Sequence, residues 1–196
     1  MIERPDFRAA WTEAIELARR ANPHYSLSER EQELLFETLL SALPDHPVIV
    51  ELGVCNGKTA ILLAYLARGL GGHYIGVDNW SLEGTYGEVS DHLYNCGFDG
   101  YADLLVGSTH DVPLPTMPID FLLIDAGHQE SAVSIDCERW IPRVRPGGLV
   151  AFDDYPTEQT WRDNAHWAVH HYADKYTGDW PLVMFWNKVL IRRRPQ

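Results

Sequence analysis

Four short stretches put acids, small residues and an imidazole where an apolar run gives way to polar sequence. Glu51-Leu52-Gly53-Val54-Cys55-Asn56-Gly57 follows Val48-Ile49-Val50. Asp78-Asn79 follows Tyr74-Ile75-Gly76-Val77. Asp125-Ala126-Gly127-His128 follows the very apolar stretch 119–124, and Asp153-Asp154 follows Leu149-Val150-Ala151-Phe152. Gly53 and Gly57 let the backbone turn tightly and approach a ligand. The dinucleotide fingerprint G-x-G-x-x-G fails, because Cys55 holds its second glycine position. The phosphate-binding lysine loop fails as well, since Lys58 lacks the required first glycine upstream. An acid beside such a turn repels a pyrophosphate and suits a cationic ligand.

Asp78 sits where an acid in a doubly wound fold hydrogen-bonds ribose hydroxyls, although a loop or cap role also fits an aspartate there. Asp125, Asp153 and Asp154 end neighbouring strands, so they should meet at one sheet edge. Three carboxylates so placed repel one another and raise each other's pKa. A hard divalent cation relieves that, and all-oxygen ligation suits magnesium, calcium or manganese. One of Asp153 and Asp154 can instead cap the helix that follows. His128, three residues past Asp125, should face the same pocket, where an imidazole serves as general base. A helix-capping histidine is the plainer alternative. Gly107-Ser108-Thr109-His110-Asp111 offers small polar groups that can line an adenine, or simply form a turn.

The elements that must carry these residues follow from apolar spacing. Phe7, Trp11, Ala14, Ile15 and Ala18 share one face of a helix over 6–21, which Asn22-Pro23 ends. Ser28 and Glu31 form a capping-box pattern ahead of Leu34, Leu35, Leu39 and Leu40, and Pro44 to Pro47 stops that helix. From there strands at 48–50, 74–77, 104–106, 119–124 and 149–152 alternate with helices at 58–68, 88–95, 130–144 and 157–176. The segments 182–186 and 188–192 predict a closing hairpin around Asn187. Alternation of this kind predicts an α/β, doubly wound, mostly parallel sheet that binds ligands at the carboxyl ends of its strands. Residues 1–46 are expected as a helical extension on a single domain spanning 47–196.

Composition sets the outer limits. The chain has 196 residues, enough for about one domain. Its 28 acids against 16 bases leave a net charge of −12, which argues against general nucleic-acid binding and against docking on an anionic membrane. No apolar run spans a bilayer, and the N-terminus lacks the apolar core of a secretory signal. Cys55, Cys96 and Cys137 form neither a disulfide framework nor a zinc knuckle, so a reduced cytoplasmic setting is expected. His166 and His170 lie one turn apart without the glutamate of a zinc-protease motif, and are expected to edge an aromatic packing face. Trp80, Tyr86 and Tyr94 can be a substrate lid or core aromatics. Arg192-Arg193-Arg194 is expected as a solvated edge guard.

Together, Glu51-x-Gly53-x-x-x-Gly57, Asp78 and the D-x-x-H plus D-D spacing resemble the class I S-adenosylmethionine-dependent methyltransferases. More narrowly they resemble the metal-dependent O-methyltransferases that include the catechol, macrolide-sugar and cephalosporin-biosynthesis enzymes. That resemblance spans about residues 48–155, and it implies a Rossmann-like seven-stranded sheet with a C-terminal antiparallel hairpin. It implies S-adenosylmethionine held by Glu51, Gly53, Asn56, Gly57, Asp78, Asn79, Ser108, Thr109 and Asp125. It further implies a divalent metal, magnesium being expected, on Asp125, Asp153 and Asp154, with His128 as base. The implied substrate is a small hydroxylated molecule such as a sugar, diol or catechol-like compound. A noncatalytic adenosine-ligand module is the alternative, and a nicotinamide oxidoreductase is disfavoured by Cys55. A homo-oligomer stays open.

Overall fold

The computed structural model describes residues 6–21, 27–81, 84–156 and 164–196. Helices α1 (Phe7–Ala21) and α2 (Glu29–Ala42) precede an alternating series. It runs β1 (Val48–Leu52), α3 (Lys58–Gly69), β2 (His73–Asp78), α4 (Tyr86–Asn95), β3 (Ala102–Val106) and β4 (Ile119–Ile124). It continues with α5 (Glu130–Trp140), β5 (Val144–Phe152), α6 (Asn164–Thr177), β6 (Leu182–Trp186) and β7 (Val189–Arg193). The strands form one sheet in the order β3-β2-β1-β4-β5-β7-β6. The first five are parallel, and β7 runs antiparallel between β5 and β6. This is the doubly wound, Rossmann-like sheet with a C-terminal hairpin and N-terminal helices that the strand–helix alternation predicts.

Each face of the sheet carries its own core. On one face Ile49, Phe121, Leu123 and Ala151 pack with α1, α2, α3 and α4. On the other Val50, Leu52, Leu122 and Phe152 pack with α5 and α6. β4, buried at all six positions, is apolar except for Asp120, as a central parallel strand must be. On α1, Ala10, Ala14 and Ala18 stand one turn apart and fully buried, so that small side chains meet the layer beneath. Phe36 on α2 is 1% exposed and touches Trp11 and Tyr65, and burying a ring of that size contributes about 2 kcal/mol. The Ser28–Glu31 capping box is formed at the start of α2.

Four expectations need correction or a limit. The helix expected over 130–144 stops at Trp140, and a 3-10 turn (Ile141–Arg143) holds Pro142, whose ring lacks the N–H an α-helix needs. Val144 then opens β5. The arginine tail is not a solvated edge. β7 is internal to the sheet, and Arg192 donates to Thr177 O and Asp174 Oδ1, Arg193 to Gly147 O, and Arg194 to the carbonyls of Pro142 and Val144. The start expected for the last helix, with Trp161, and the Asn22-Pro23 stop both lie outside the described residues. Among the described residues no helix is long and apolar enough to cross a membrane.

Candidate active site

The carboxyl ends of the strands are stitched together by the backbone itself. Gly53 N donates to Val77 O at 2.9 Å, Gly107 N to Asp78 O at 2.9 Å, Asp125 N to Leu52 O at 2.9 Å, and Asp153 N to Ile124 O at 3.1 Å. The parallel ladder therefore continues one residue past each strand before the loops diverge. Gly53 has φ +91°, and a Cβ there would lie 2.0 Å from Asp125 O. Only glycine allows the two loops to approach this closely. The expected site residues of β1, β2, β4 and β5 thus converge on one edge.

Glu51 is 1% exposed, and the Tyr74 hydroxyl donates to its Oε2. Tyr74 reaches it over Gly76, the residue paired with Glu51 on β2, where a Cβ would lie 2.5 Å from the Tyr74 hydroxyl. Burial pushes the Glu51 carboxyl up to about 8; the Tyr74 hydrogen bond opposes this and the charge of Asp78 adds to it. A buried acid raised in this way regains its charge when a cationic group binds beside it.

Asp78 closes the neighbouring turn. Its Oδ2 accepts from Cys55 N at 2.7 Å and its Oδ1 from Trp80 N at 2.6 Å. The Trp80 indole N–H donates to Cys55 O at 3.0 Å, and its ring meets Tyr86 edge-on at 5.6 Å. Trp80 therefore lies against the Gly53–Gly57 turn with Tyr86 on its ring, whereas Tyr94 is 68% exposed. Asn56 sits half-buried inside that turn. The Asn79 amide oxygen accepts from Ser81 N, and Ser108 Oγ from His110 N. Thr109 turns inward: its hydroxyl donates to buried Asp136, while its carbonyl accepts from the Trp140 indole at 3.0 Å. Asp136, raised to about 6 chiefly by burial, anchors the 107–112 loop from beneath and has no sequence motif to mark it.

The acids past β4 and β5 meet as expected, with one difference of membership. Asp125, His128 and Asp154 bring donor atoms within 4.8 Å of one another, so His128 stands in the trio where Asp153 was expected. His128 Nε2 is 3.2 Å from Asp154 Oδ2, but among the described residues it has no hydrogen-bond partner. Asp153 is 3% exposed, and its Oδ1 has no partner among the described residues. Burial, then the charges of Asp153, Asp154 and Glu51, hold the Asp125 carboxyl well above the usual range. Orphaned buried donors among crowded carboxylates fit a divalent cation.

A residue without any motif completes the cluster. Lys188, in the β6–β7 turn, donates from Nζ to Asp153 Oδ2 at 3.0 Å and to Asp154 Oδ1 at 2.9 Å. Burial alone would lower its pKa, and the two aspartates outweigh that and raise it. The signal that could have found it is register: Phe152 pairs with Leu190 in the antiparallel β5–β7 ladder, which brings residue 188 beside residue 154. Asp154 holds φ +55°, an unusual backbone for aspartate, with Lys188 on its side chain. His170 is 3.4 Å from Asp174 and stacks near Tyr155, as a packing-face histidine does.

Comparison with known proteins bears on the fold and the family. No curated protein matches the chain. Among solved structures, the O-methyltransferase TomG of Streptomyces achromogenes, in complex with SAM, is similar at 19% identity, with 99% of this chain and 92% of that one covered and a TM-score of 0.62. An O-methyltransferase of Bacillus cereus in complex with SAH is similar at 14% identity over 95% and 91% of the two chains, with a TM-score of 0.64. An rRNA methylase of Streptococcus thermophilus is similar at 18% identity over 87% and 100%, with a TM-score of 0.65. These likenesses establish the fold. The model of the family described as Methyltransferase domain matches residues 50–155, more than half of the chain and the stretch that holds Glu51, Asp78, Asp125, His128, Asp153 and Asp154. The chain therefore belongs to the Methyltransferase domain family and is an S-adenosylmethionine-dependent methyltransferase.

Proposed function

We propose that this methyltransferase acts on a hydroxyl oxygen of a small molecule, with help from a divalent cation at the carboxyl edge of β4 and β5. One observation carries this: the Asp125, His128 and Asp154 donors stand together one strand away from the Gly53–Gly57 turn. Glu51 would take the ammonium end of the cofactor, and Asp78 would hold its ribose hydroxyls with lone pairs left over from Cys55 N and Trp80 N. The inner surface of the 107–112 loop would face the adenine. Asp125 and Asp154 would hold the cation. When bound, the cofactor supplies the methyl group and the cation chelates and acidifies the substrate's hydroxyl. His128 Nε2 either accepts the hydroxyl proton or ligates the cation; one lone pair cannot do both at once.

The O-methyltransferase names of TomG and of the Bacillus cereus protein support oxygen as the acceptor. The rRNA methylase likeness offers RNA instead, but a net charge of −12 opposes a polyphosphate substrate. The test is a methyl-transfer assay by mass spectrometry on a panel of catechols, sugars and other vicinal diols, with and without chelator, beside calorimetry with S-adenosylhomocysteine. Cofactor binding with chelator-sensitive transfer to a diol is expected. Cofactor binding with no transfer to any hydroxyl would leave a binding module. Transfer untouched by chelator would remove the cation.

A further inference from the structure

Asp153 was expected to complete an all-oxygen cation site, yet it stands outside the Asp125, His128 and Asp154 donor cluster, with one of its oxygens engaged elsewhere. Its Oδ2 is held by the Lys188 ammonium at 3.0 Å, and the same ammonium takes Asp154 Oδ1 at 2.9 Å. Asp154 is left with Oδ2, which points toward His128 Nε2 at 3.2 Å. Lys188 is not loosely placed. Its carbonyl accepts from Tyr155 N at 2.9 Å, and the preceding Asn187 donates its amide to Glu31 Oε1 at 2.7 Å, locking the hairpin tip to the capped start of α2. The lysine therefore belongs to the built structure of the site.

Resting on the divalent-cation reading above, we infer that Lys188 turns the family's carboxylate cluster into a mixed nitrogen–oxygen site. By holding Asp153 Oδ2 and Asp154 Oδ1, it draws Asp153 away from the donor cluster and leaves Asp125, Asp154 Oδ2 and His128 Nε2 to face the ion. The occupant is then a borderline transition-metal ion of the manganese, iron, cobalt or zinc kind, in preference to magnesium or calcium. Charge supports the assignment: three carboxylates are balanced by one lysine and one divalent ion. Donor chemistry sets the preference, because imidazole suits transition metals whereas magnesium and calcium select oxygen ligands. His128 is available for this: its Nε2 is buried beside Asp154 and has no hydrogen-bond partner among the described residues. Lys188 is a positioning residue here and His128 a ligand, and the proton of the substrate hydroxyl passes to water.

The experiment is calorimetric titration of metal-stripped, full-length protein with cobalt, manganese and magnesium chlorides in separate runs at neutral pH, with cobalt ligand-field absorption read in parallel. Because cobalt also binds oxygen sites well, the decisive quantity is how the cobalt-to-magnesium affinity ratio changes on substitution. His128→Asn is expected to lower cobalt affinity at least about tenfold, to leave magnesium affinity nearly unchanged, and to alter the cobalt spectrum. Lys188→Met is expected to narrow the ratio from the other side, by freeing Asp153 and raising magnesium affinity. An unchanged ratio and spectrum in His128→Asn would overturn the inference and return His128 to the base role, while the cation reading stood. Binding of no divalent ion by the wild-type protein would remove the cation reading and this inference together.

Discussion

β4 carries an acid at each end, in opposite surroundings. At its amino end, Asp120 is 7% exposed, and both its oxygens are used: Oδ2 accepts from Val48 N at 2.8 Å and Oδ1 from the Arg145 guanidinium. This acid joins β1 to β4 and answers a cation. At the carboxyl end, Asp125 faces Asp153, Asp154 and Glu51, and the nearest cation, Lys188, binds the first two. The same side chain, five residues along the chain, is a structural tie in one place and, among the described residues, a carboxyl crowded by other acids in the other. Native folds satisfy buried charge wherever stability alone governs, so unrelieved charge marks where a ligand is expected.

Substitution at the two ends should separate these roles. Asp125→Ala is expected to cut methyl transfer by about 100-fold or more, while the melting temperature holds or rises because a carboxylate repelled by its neighbours is gone. Single-turnover rates and thermal melts on one preparation read both. A large loss of melting temperature with transfer intact would make Asp125 another structural acid. Asp120→Ala should do the reverse. It leaves Val48 N–H unpaired and Arg145 without its carboxylate, for a loss of about 2–3 kcal/mol in denaturant unfolding, with the transfer rate per folded molecule close to wild type.

Glu51 allows a comparison by pH. Its carboxyl is ordinarily near 4.5 and is pushed up to about 8 in the fold. Below 4.5 it is protonated folded or unfolded, and folding gives up nothing. Between 4.5 and 8 the unfolded chain releases the proton and the folded chain retains it, so stability falls as pH rises through this window. Glu51→Gln cannot ionise and lacks that decline. At pH above 8 the variant should therefore unfold at higher denaturant than wild type, by an amount on the order of 1–2 kcal/mol. Parallel curves for the two proteins from acid to alkaline pH would show that Glu51 titrates alike in the folded and unfolded chain, and the contrast with Asp120 would weaken.

The sequence made the strand-end acids readable because each follows an apolar run that can only be a buried strand. Asp78, Asp125, Asp153 and Asp154 announced themselves by where the periodicity stopped. What remained hidden depends on tertiary register. Lys188 comes 34 residues after Asp154 and reaches it because β7 returns antiparallel beside β5. Tyr74 reaches Glu51 because Gly76, between them on the face, has no side chain. Asp136 sits mid-helix, with nothing around it to suggest that it holds the Thr109 hydroxyl. Arg192, Arg193 and Arg194 depend on register as well: the last strand in the sequence lies inside the sheet, and β6 forms the edge on that side.

The smallest effect is expected at the hairpin tip, which carries the lysine that answers the carboxyl-end acids. Asn187 holds φ +52° and its amide binds Glu31 Oε1 at 2.7 Å. Asn187→Gly keeps the turn and loses only the amide bond. Asn187→Ala loses the bond and also forces an L side chain without local polar help into the left-handed region. The alanine variant should therefore be less stable than the glycine variant by about 1 kcal/mol, read as a shift in denaturant midpoint. If hairpin geometry is what aims Lys188, the alanine variant should also alter cation affinity more than the glycine variant does. Equal stability of the two would mean that the turn relaxes freely. In that case Lys188 would be held by Asp153 and Asp154 alone, and the compensation at the carboxyl end would come from the charges themselves and owe nothing to α2.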